Sequence, residues 1–231
     1  MIAESMTAFI FARGGSKGII GKNLALIGGR SLIAIDIECL LNSRFVKEVI
    51  VSTDCKRIAE ESTKCGATVP FLRPEELSTD YAPELSAWKH ALNWHNDCRG
   101  YLPSLFISAP VTTPLKLPSD IDFGIETFML SKAQMVVSGT NAKRHPAFNI
   151  VKRTTTNTIE IYDDKDKPVR RQDAPDAYDL TTAFYIANPA DILACNSLRE
   201  LSTDIALIPE ERAIDIDSPF DLRVARALAS D

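Results

Sequence analysis

The chain has 231 residues, 45% of them hydrophobic and 25% charged, and its mean hydropathy of -0.05 is that of a globular protein rather than a disordered or fibrous one. Its 26 basic and 31 acidic residues leave a net charge of -5, which excludes a global basic field for holding DNA, RNA or an anionic membrane. Any polyanion must be held locally. The cysteines, Cys39, Cys55, Cys65, Cys98 and Cys195, are scattered and never spaced C-x-x-C, which argues against a disulfide framework or a zinc site and for a reducing, cytoplasmic setting.

The longest apolar runs are broken by charge, as in residues 31–41 where Asp36 and Glu38 intervene, so no stretch of about 20 apolar residues spans a bilayer. The opening residues lack a basic region and precede only a short apolar run, so no signal peptide is expected. That run, residues 7–12, reads as a buried strand. Ser31 is a suitable N-cap for a helix carrying Leu32, Ile35, Ile37 and Leu40. Residues 49–52 read as the next strand, Asp54 as the cap of a helix that ends at Gly66, and residues 67–71 as a third strand. Between Pro83 and Asn96 the stripe Leu85, Trp88, Leu92, His95 marks an amphipathic helix, on which His90 and His95 read as packing or surface residues. Residues 105–108 and 135–138 read as strands separated by a helix begun at Pro118, Ser119 and Asp120. This alternation is that of an α/β domain with a mostly parallel central sheet.

After Lys143 the rhythm breaks. Residues 148–152 and 158–162 read as short strands joined by a polar turn, and a highly charged stretch follows over 163–179. This hairpin-like excursion gives way to a resumed strand rhythm at 183–187, 205–208 and 214–217, and Ser218, Pro219 and Asp221 supply the N-cap, first-turn proline and third-position acid of a last helix. No internal repeat or Gly/Ser linker is present, so residues 1–231 are expected to form one domain, with 140–178 as an inserted element.

The segment after the first strand runs Arg13, Gly14, Gly15, Ser16, Lys17, Gly18, Ile19, Ile20, Gly21, Lys22, Asn23. Its glycines let backbone N–H groups approach a ligand closely, and three cations stand among them with no acid. Chemically this is a polyphosphate cradle, although a glycine-rich turn with solvated lysines is the simpler alternative. It is not a Walker A loop, because five residues separate Gly15 from Gly21 and Asn23 stands where the metal-binding hydroxyl belongs. Nor is it the G-x-G-x-x-G dinucleotide fingerprint, because Ser16 and Ile19 occupy two glycine positions.

The string 13–18 followed by Lys22 and Asn23 resembles the nucleotide loop of the CMP-sialic acid synthetases, the acylneuraminate cytidylyltransferases. Residues 51–54 (VSTD), 71–77 (FLRPEEL), 171–173 (RQD) and 214–217 (IDID) also match, in the family's order. The resemblance implies a single-domain Rossmann-like nucleotidyltransferase fold. It implies transfer of CMP from CTP to the anomeric hydroxyl of a 2-keto-3-deoxy sugar acid, with release of pyrophosphate.

By the same resemblance Arg13, Lys17 and Lys22 neutralise phosphate and leaving-group charge, and Gly14, Gly15 and Ser16 bond phosphate oxygens. Asn23 contacts the nucleotide or orders the loop, and Arg73 meets the cytosine. Asp215 and Asp217 stand two apart, so on a strand both would emerge on one face. Solvated acids are the plain reading of that alternation, whereas the resemblance implies a Mg2+ pair, with Asp217 also able to take the acceptor's proton. Arg171 and Gln172 fall on the family's sugar-side motif, where Arg171 would pair with the acceptor carboxylate, and His145 echoes a His-Pro pair near the acceptor. The excursion at 140–178 matches the family's dimerisation element, which implies a homodimer. No nucleic-acid or membrane partner is expected.

Two departures fall on the expected acceptor side. Where the family carries Gln and Arg in L-Q-P-T-S-P-L-R, this chain has residues 107–116 (ISAPVTTPLK) with Lys116 at the end, and Asn-Gly-Ala has become Thr181, Thr182 and Ala183. These substitutions leave open legionaminic, pseudaminic and modified octulosonic acids, a CMP-Kdo-type synthetase, and a non-catalytic nucleotide-binding module. Residues 10–30 hold four cations and no acid, whereas 210–231 hold six acids against three cations. Retention of both patches favours catalysis, since a pure binder has no use for a metal pair.

Overall fold

The computed structural model describes residues 6–163 and 168–229. The elements in chain order are β1 (Met6–Phe11), β2 (Leu26–Ile27), β3 (Arg30–Ser31), α1 (Leu32–Leu41), β4 (Val46–Ser52), α2 (Lys56–Lys64), α3 (Glu84–Arg99), β5 (Phe106–Ser108) and α4 (Pro118–Leu130). They continue with β6 (Met135–Asn141), β7 (Val151–Arg153), β8 (Ile159–Ile161), β9 (Tyr178–Ala187), α5 (Pro189–Ala194), β10 (Thr203–Leu207) and α6 (Pro219–Leu228). Ser31 caps α1, its hydroxyl accepting from Ala34 N at 3.3 Å. Ser218 and Asp221 form the capping box of α6, and Asp120 closes the first turn of α4 by accepting from Leu117 N at 2.8 Å.

Six strands form one sheet in the order β10-β6-β9-β5-β1-β4. β4, β1 and β5 are parallel, as are β10 and β6. β9 is antiparallel to both of its neighbours. The mostly parallel sheet is therefore observed, with one reversal that follows from connectivity. Parallel neighbours need a crossover from one edge of the sheet to the other, whereas the excursion leaves the carboxyl end of β6 and returns to the same edge, so β9 runs back. β7 and β8 pair antiparallel within that excursion. Helices cover both faces. Leu32, Ile37 and Leu40 of α1, Ile121 and Ile125 of α4 and Leu222 of α6 pack on one side. Trp88 and Leu92 of α3 and Ile192 of α5 pack with Phe9 and Phe106 on the other. No helix among the described residues is long and apolar enough to cross a membrane.

Three local expectations change. Residues 67–71 form no strand and meet β4 in the isolated bridge Ile50 to Thr68, with a second bridge, Thr53 to Leu72, just beyond, because Pro70 lacks the N–H that a continuous ladder requires. Residues 214–217 form no strand; a single backbone bond, Ile216 N to Thr112 O at 2.8 Å, ties the segment to the loop after β5. The N-cap position of α2 is Cys55 rather than Asp54, and the Asp54 carboxylate is used elsewhere. Residues 1–5, and residues 164–167 of the charged stretch, lie outside the described residues.

Lys116, one of the departures read from the sequence, is buried rather than presented to a ligand. Its side chain is 1% exposed and forms an ion pair with Asp36 of α1, which is fully buried. Its ammonium donates to the carbonyls of Pro110 and Thr113, each at 3.0 Å, so it shapes the loop after β5 from beneath. Burial pushes the Asp36 carboxyl up to about 6 while Lys116 pulls it back. Removing one partner of such a pair strands the other charge at a cost of about 3–5 kcal/mol. Lys116→Met is expected to lose about that much stability in urea unfolding, and the double variant Lys116→Met/Asp36→Leu to recover most of it.

Candidate active site

The carboxyl ends of β1, β4, β5 and β6 face one edge, where an open α/β sheet builds its ligand site. At that edge the chain leaves β1 through Ala12, whose N–H still reaches Ser52 O at 3.0 Å, and enters the glycine loop. Three contacts shape the loop. Asn23, buried, donates its amide to Arg13 O at 2.9 Å, and Asp54 Oδ1 accepts from Gly14 N at 2.7 Å. Gly21, at φ 67°, makes the left-handed turn that opens the short helical turn Lys22–Leu24, a conformation that favours glycine. Asn23 thus ties the end of the loop back to its start.

The loop's cations face carboxylates from distant parts of the chain. Lys22 Nζ donates to Ile216 O at 2.6 Å and to Asp217 Oδ1 at 3.1 Å. A methyl group at Gly18 would overlap the carbonyl oxygen of Asp217, so the loop and residues 214–217 are in backbone contact. Arg13 Nη1 lies 2.8 Å from Asp80 Oδ1, and Lys17 Nζ lies 2.7 Å from Asp80 Oδ2. Gly15 has open space around its Cα and Ser16 is half-buried. The basic and acidic patches, remote in sequence, meet here.

Arg73 follows the bridge to β4, its N–H donating to Thr53 O at 2.7 Å. Its side chain is buried, and Nε and Nη2 have no hydrogen-bond partner among the described residues. Burial lowers its pKa, opposed by Asp54 and reinforced by Arg13, yet a guanidinium stays charged. Two buried unmet donors cost free energy unless a ligand supplies acceptors. Asp215 shows the converse: its Oδ1 is buried without a partner, while Asp217 is 78% exposed at its side chain. Tyr185 of β9 packs against Trp88 with ring centroids 5.3 Å apart. Burial, then the Glu84 and Asp215 carboxylates, raise its phenol to about 12, so it presents a neutral hydroxyl.

Beside this lies a cluster of hydroxyls. Thr182 Oγ1 is 2.9 Å from Thr113 Oγ1 and 3.3 Å from Thr112 Oγ1, so the two departures read from the sequence meet in space. A bulge directs Thr182 there. The β6–β9 register shifts between Val137 and Gly139, and Ser138 Oγ fills the gap, accepting from Thr181 Oγ1 at 2.7 Å and from Ala183 N at 3.1 Å. On the excursion, Arg171 is exposed and donates to Lys143 O at 2.7 Å, and Gln172 is exposed. His145 uses both ring nitrogens on its own chain, Nε2 with Pro175 O at 2.8 Å and Nδ1 with Ala147 N at 3.1 Å. Of the helix histidines, His95 is buried, with Nδ1 at 2.9 Å from Tyr101 O.

Among the described residues no group of three or more His, Cys, Asp or Glu side chains converges as a metal cluster. A cavity of about 450 Å3 lies elsewhere, beside Cys39 of α1 and Leu115. Asp80, Tyr185 and the loop-holding role of Asp54 were not legible from motifs. Asp80 sits in an unpatterned turn, and only spatial contact distinguishes it from other surface acids. Hydrogen bonds to a charged acceptor contribute about 1.5–3 kcal/mol, so Asp54→Ala is expected to speed amide hydrogen exchange at Gly14 by about tenfold or more, read by NMR.

Residues 7–190 match the family model described as cytidylyltransferase. The chain is 30% identical over 220 residues to a pseudaminic acid cytidylyltransferase of Campylobacter jejuni, covering 94% of this chain and 93% of that one. It is 31% identical over 230 residues to a CMP-N,N'-diacetyllegionaminic acid synthase of Legionella pneumophila, covering 96% and 94%. Among solved structures it is similar in fold to a CMP:2-keto-3-deoxy-manno-octonic acid synthetase complexed with CTP, at a TM-score of 0.71 and 17% identity over 98% and 99% of the two chains. With the glycine loop, the buried arginine and the acidic segment assembled at one sheet edge, the chain belongs to the cytidylyltransferase family and is a nucleotidyltransferase.

Proposed function

We propose that the protein transfers CMP from CTP to the anomeric hydroxyl of a sialic-acid-like 2-keto-3-deoxy sugar acid of the nonulosonic class, releasing pyrophosphate. The observation that carries this reading is the Lys22 bridge to Ile216 O and Asp217, which sets the cationic loop against the acid pair. A triphosphate carried with a divalent cation requires both signs side by side. Such transfer asks chiefly for positioning and charge stabilisation. Arg13 and Lys17 meet the phosphates that depart as pyrophosphate, with Ser16 and the N–H groups of Gly14 and Gly15. Arg73 turns its two unmet donors to the O2 and N3 acceptors of cytosine, a pairing that a planar guanidinium fork suits.

Asp215 and Asp217 fit Mg2+, a hard cation held by few carboxylates together with water and phosphate oxygens, and the orphaned Oδ1 of Asp215 is the group that such an ion would satisfy. When bound, the ion supplies charge neutralisation at the reacting phosphate. Asp217 is exposed beside Lys22, which is consistent with the second role proposed for it, taking the acceptor's proton. The nonulosonic class is supported by the Campylobacter and Legionella relatives, whereas the likeness to the octonic acid synthetase is one of fold. Thr112, Thr113 and Thr182 stand where the sequence departs from the sialic acid pattern, and their hydroxyls favour a pocket that selects among acids by hydrogen bonding.

The excursion carries Arg171, Gln172 and His145, the residues that the resemblance assigns to the acceptor. It also exposes apolar side chains, with Ile159 at 66%, Tyr162 at 62% and Val169 at 90%, a pattern that suits an interface. In this reading the excursion joins two copies as a homodimer and brings Arg171 to the acceptor carboxylate. The unpaired thiols of all five cysteines accord with a cytoplasmic setting.

Incubation with CTP, Mg2+ and a panel of neuraminic, legionaminic, pseudaminic and octulosonic acids is expected to release pyrophosphate with at least one nonulosonic acid. Asp217→Ala is expected to slow that release by about a hundredfold. Tight CTP binding with no release for any acid would instead leave a nucleotide-binding module. Light scattering of the eluting protein is expected to give twice the 25.5 kDa chain mass; the single mass would overturn the dimer.

A further inference from the structure

Asp80 lies in the turn between the Glu75–Leu77 helical turn and α3, more than sixty residues from Arg13 and Lys17 of the glycine loop. Each of its carboxylate oxygens takes one of the loop's cations, Oδ1 the Arg13 guanidinium and Oδ2 the Lys17 ammonium. The hydrogen bond from Lys17, ahead of the contributions from Arg13, holds its carboxyl below the usual range. One carboxylate spanning two cations has the connectivity of a phosphate with two of its oxygens. The turn is exposed from Thr79 to Tyr81, and it is anchored at its base by Ser78 Oγ donating to Pro74 O at 3.1 Å. Asp80 can therefore move without disturbing the core.

We propose that Asp80 is a positioning residue that acts as an exchangeable internal anion, giving up Arg13 and Lys17 to the incoming polyphosphate and taking them back as pyrophosphate leaves. This rests on the reading of the glycine loop as the triphosphate seat. An isolated surface ion pair contributes little to stability, but a tethered carboxylate acts at high effective concentration and competes directly with any anion for the same two cations. The exchange has two consequences. The cations stay aimed between turnovers, since they hold the geometry of a bidentate anion, and product pyrophosphate meets a competitor that speeds its departure. Lys22, engaged by Asp217, is outside the exchange and keeps its place throughout.

The test is calorimetric binding of inorganic pyrophosphate with Mg2+ to the full chain, with steady-state kinetics in parallel. Asp80→Asn keeps the shape of the side chain but removes the competing charge, and it is expected to bind pyrophosphate several-fold more tightly. Its KM for CTP and its kcat are expected to fall together, as they do when release becomes slower. Asp80→Glu restores the anion and is expected to return all three quantities towards those of the unaltered chain. A purely structural role predicts weaker binding in Asp80→Asn, and that result, or unchanged binding, overturns the proposal while leaving the loop's assignment standing. Failure of both proteins to bind pyrophosphate overturns it together with that assignment.

Discussion

Lys22 donates to a backbone carbonyl and a carboxylate that lie nearly two hundred residues further along the chain, and the rest of the site depends on that bridge. Its side chain is only 13% exposed, so the ammonium needs partners, and Ile216 O and Asp217 Oδ1 supply them. The bridge holds residues 214–217 against the glycine loop although no strand pairing fixes that segment. Gly18 allows the two backbones to touch, and Ile216 N bonds back to Thr112 O. Through these few contacts the first loop, the loop after β5 and the segment before α6 become one surface.

That surface separates and then opposes charge. The acidic side is Asp215 and Asp217, with Asp80 reaching in from the turn before α3; the basic side is Arg13, Lys17, Lys22 and Arg73. Buried and half-buried groups are left with unmet capacity on both sides: two donors on Arg73 and one acceptor on Asp215. Native structures seldom leave such groups unmet, and in the proposed function a nucleotide and a divalent cation would pair them. The reversal of β9 contributes a different chemistry. By running antiparallel it carries Thr182 and Tyr185 into the same edge, and the Ser138-filled bulge directs Thr182 to Thr112 and Thr113. The charged loops follow parallel strands, while the hydroxyl cluster joins the one antiparallel strand, through Thr182, to the loop after β5, through Thr112 and Thr113.

Most elements were legible because their signals are local. Ser31, Asp120 and Ser218 mark helix starts through hydrogen bonds within one turn, and the Trp88, Leu92, His95 stripe is buried as its period implies. Local signals misled where a competing local rule or a distant partner intervened. Pro70 interrupted an apolar run that otherwise reads as a strand. Asp54 is a good cap by residue type, but its carboxylate is engaged by Gly14 N. Residues 214–217 alternate like a strand yet lie beyond the last position where a neighbour offers a ladder. Lys116 stands where the resemblance has an arginine, and it is buried against Asp36, a contact between a loop and a helix about eighty residues apart.

The sequence by itself determined the α/β rhythm, the capped helices, the glycine loop and the family, because periodicity, capping and motif order are properties of neighbouring residues. Tertiary structure alone decided which charges meet. Lys22 with Asp217, one Asp80 carboxylate across Arg13 and Lys17, Lys116 with Asp36, and the meeting of Thr182 with Thr112 and Thr113 all join segments far apart in the chain. Such pairings depend on strand order, on the direction of β9 and on where loops emerge, and the free energy of a buried or half-buried ion pair is set by that surrounding geometry rather than by residue type.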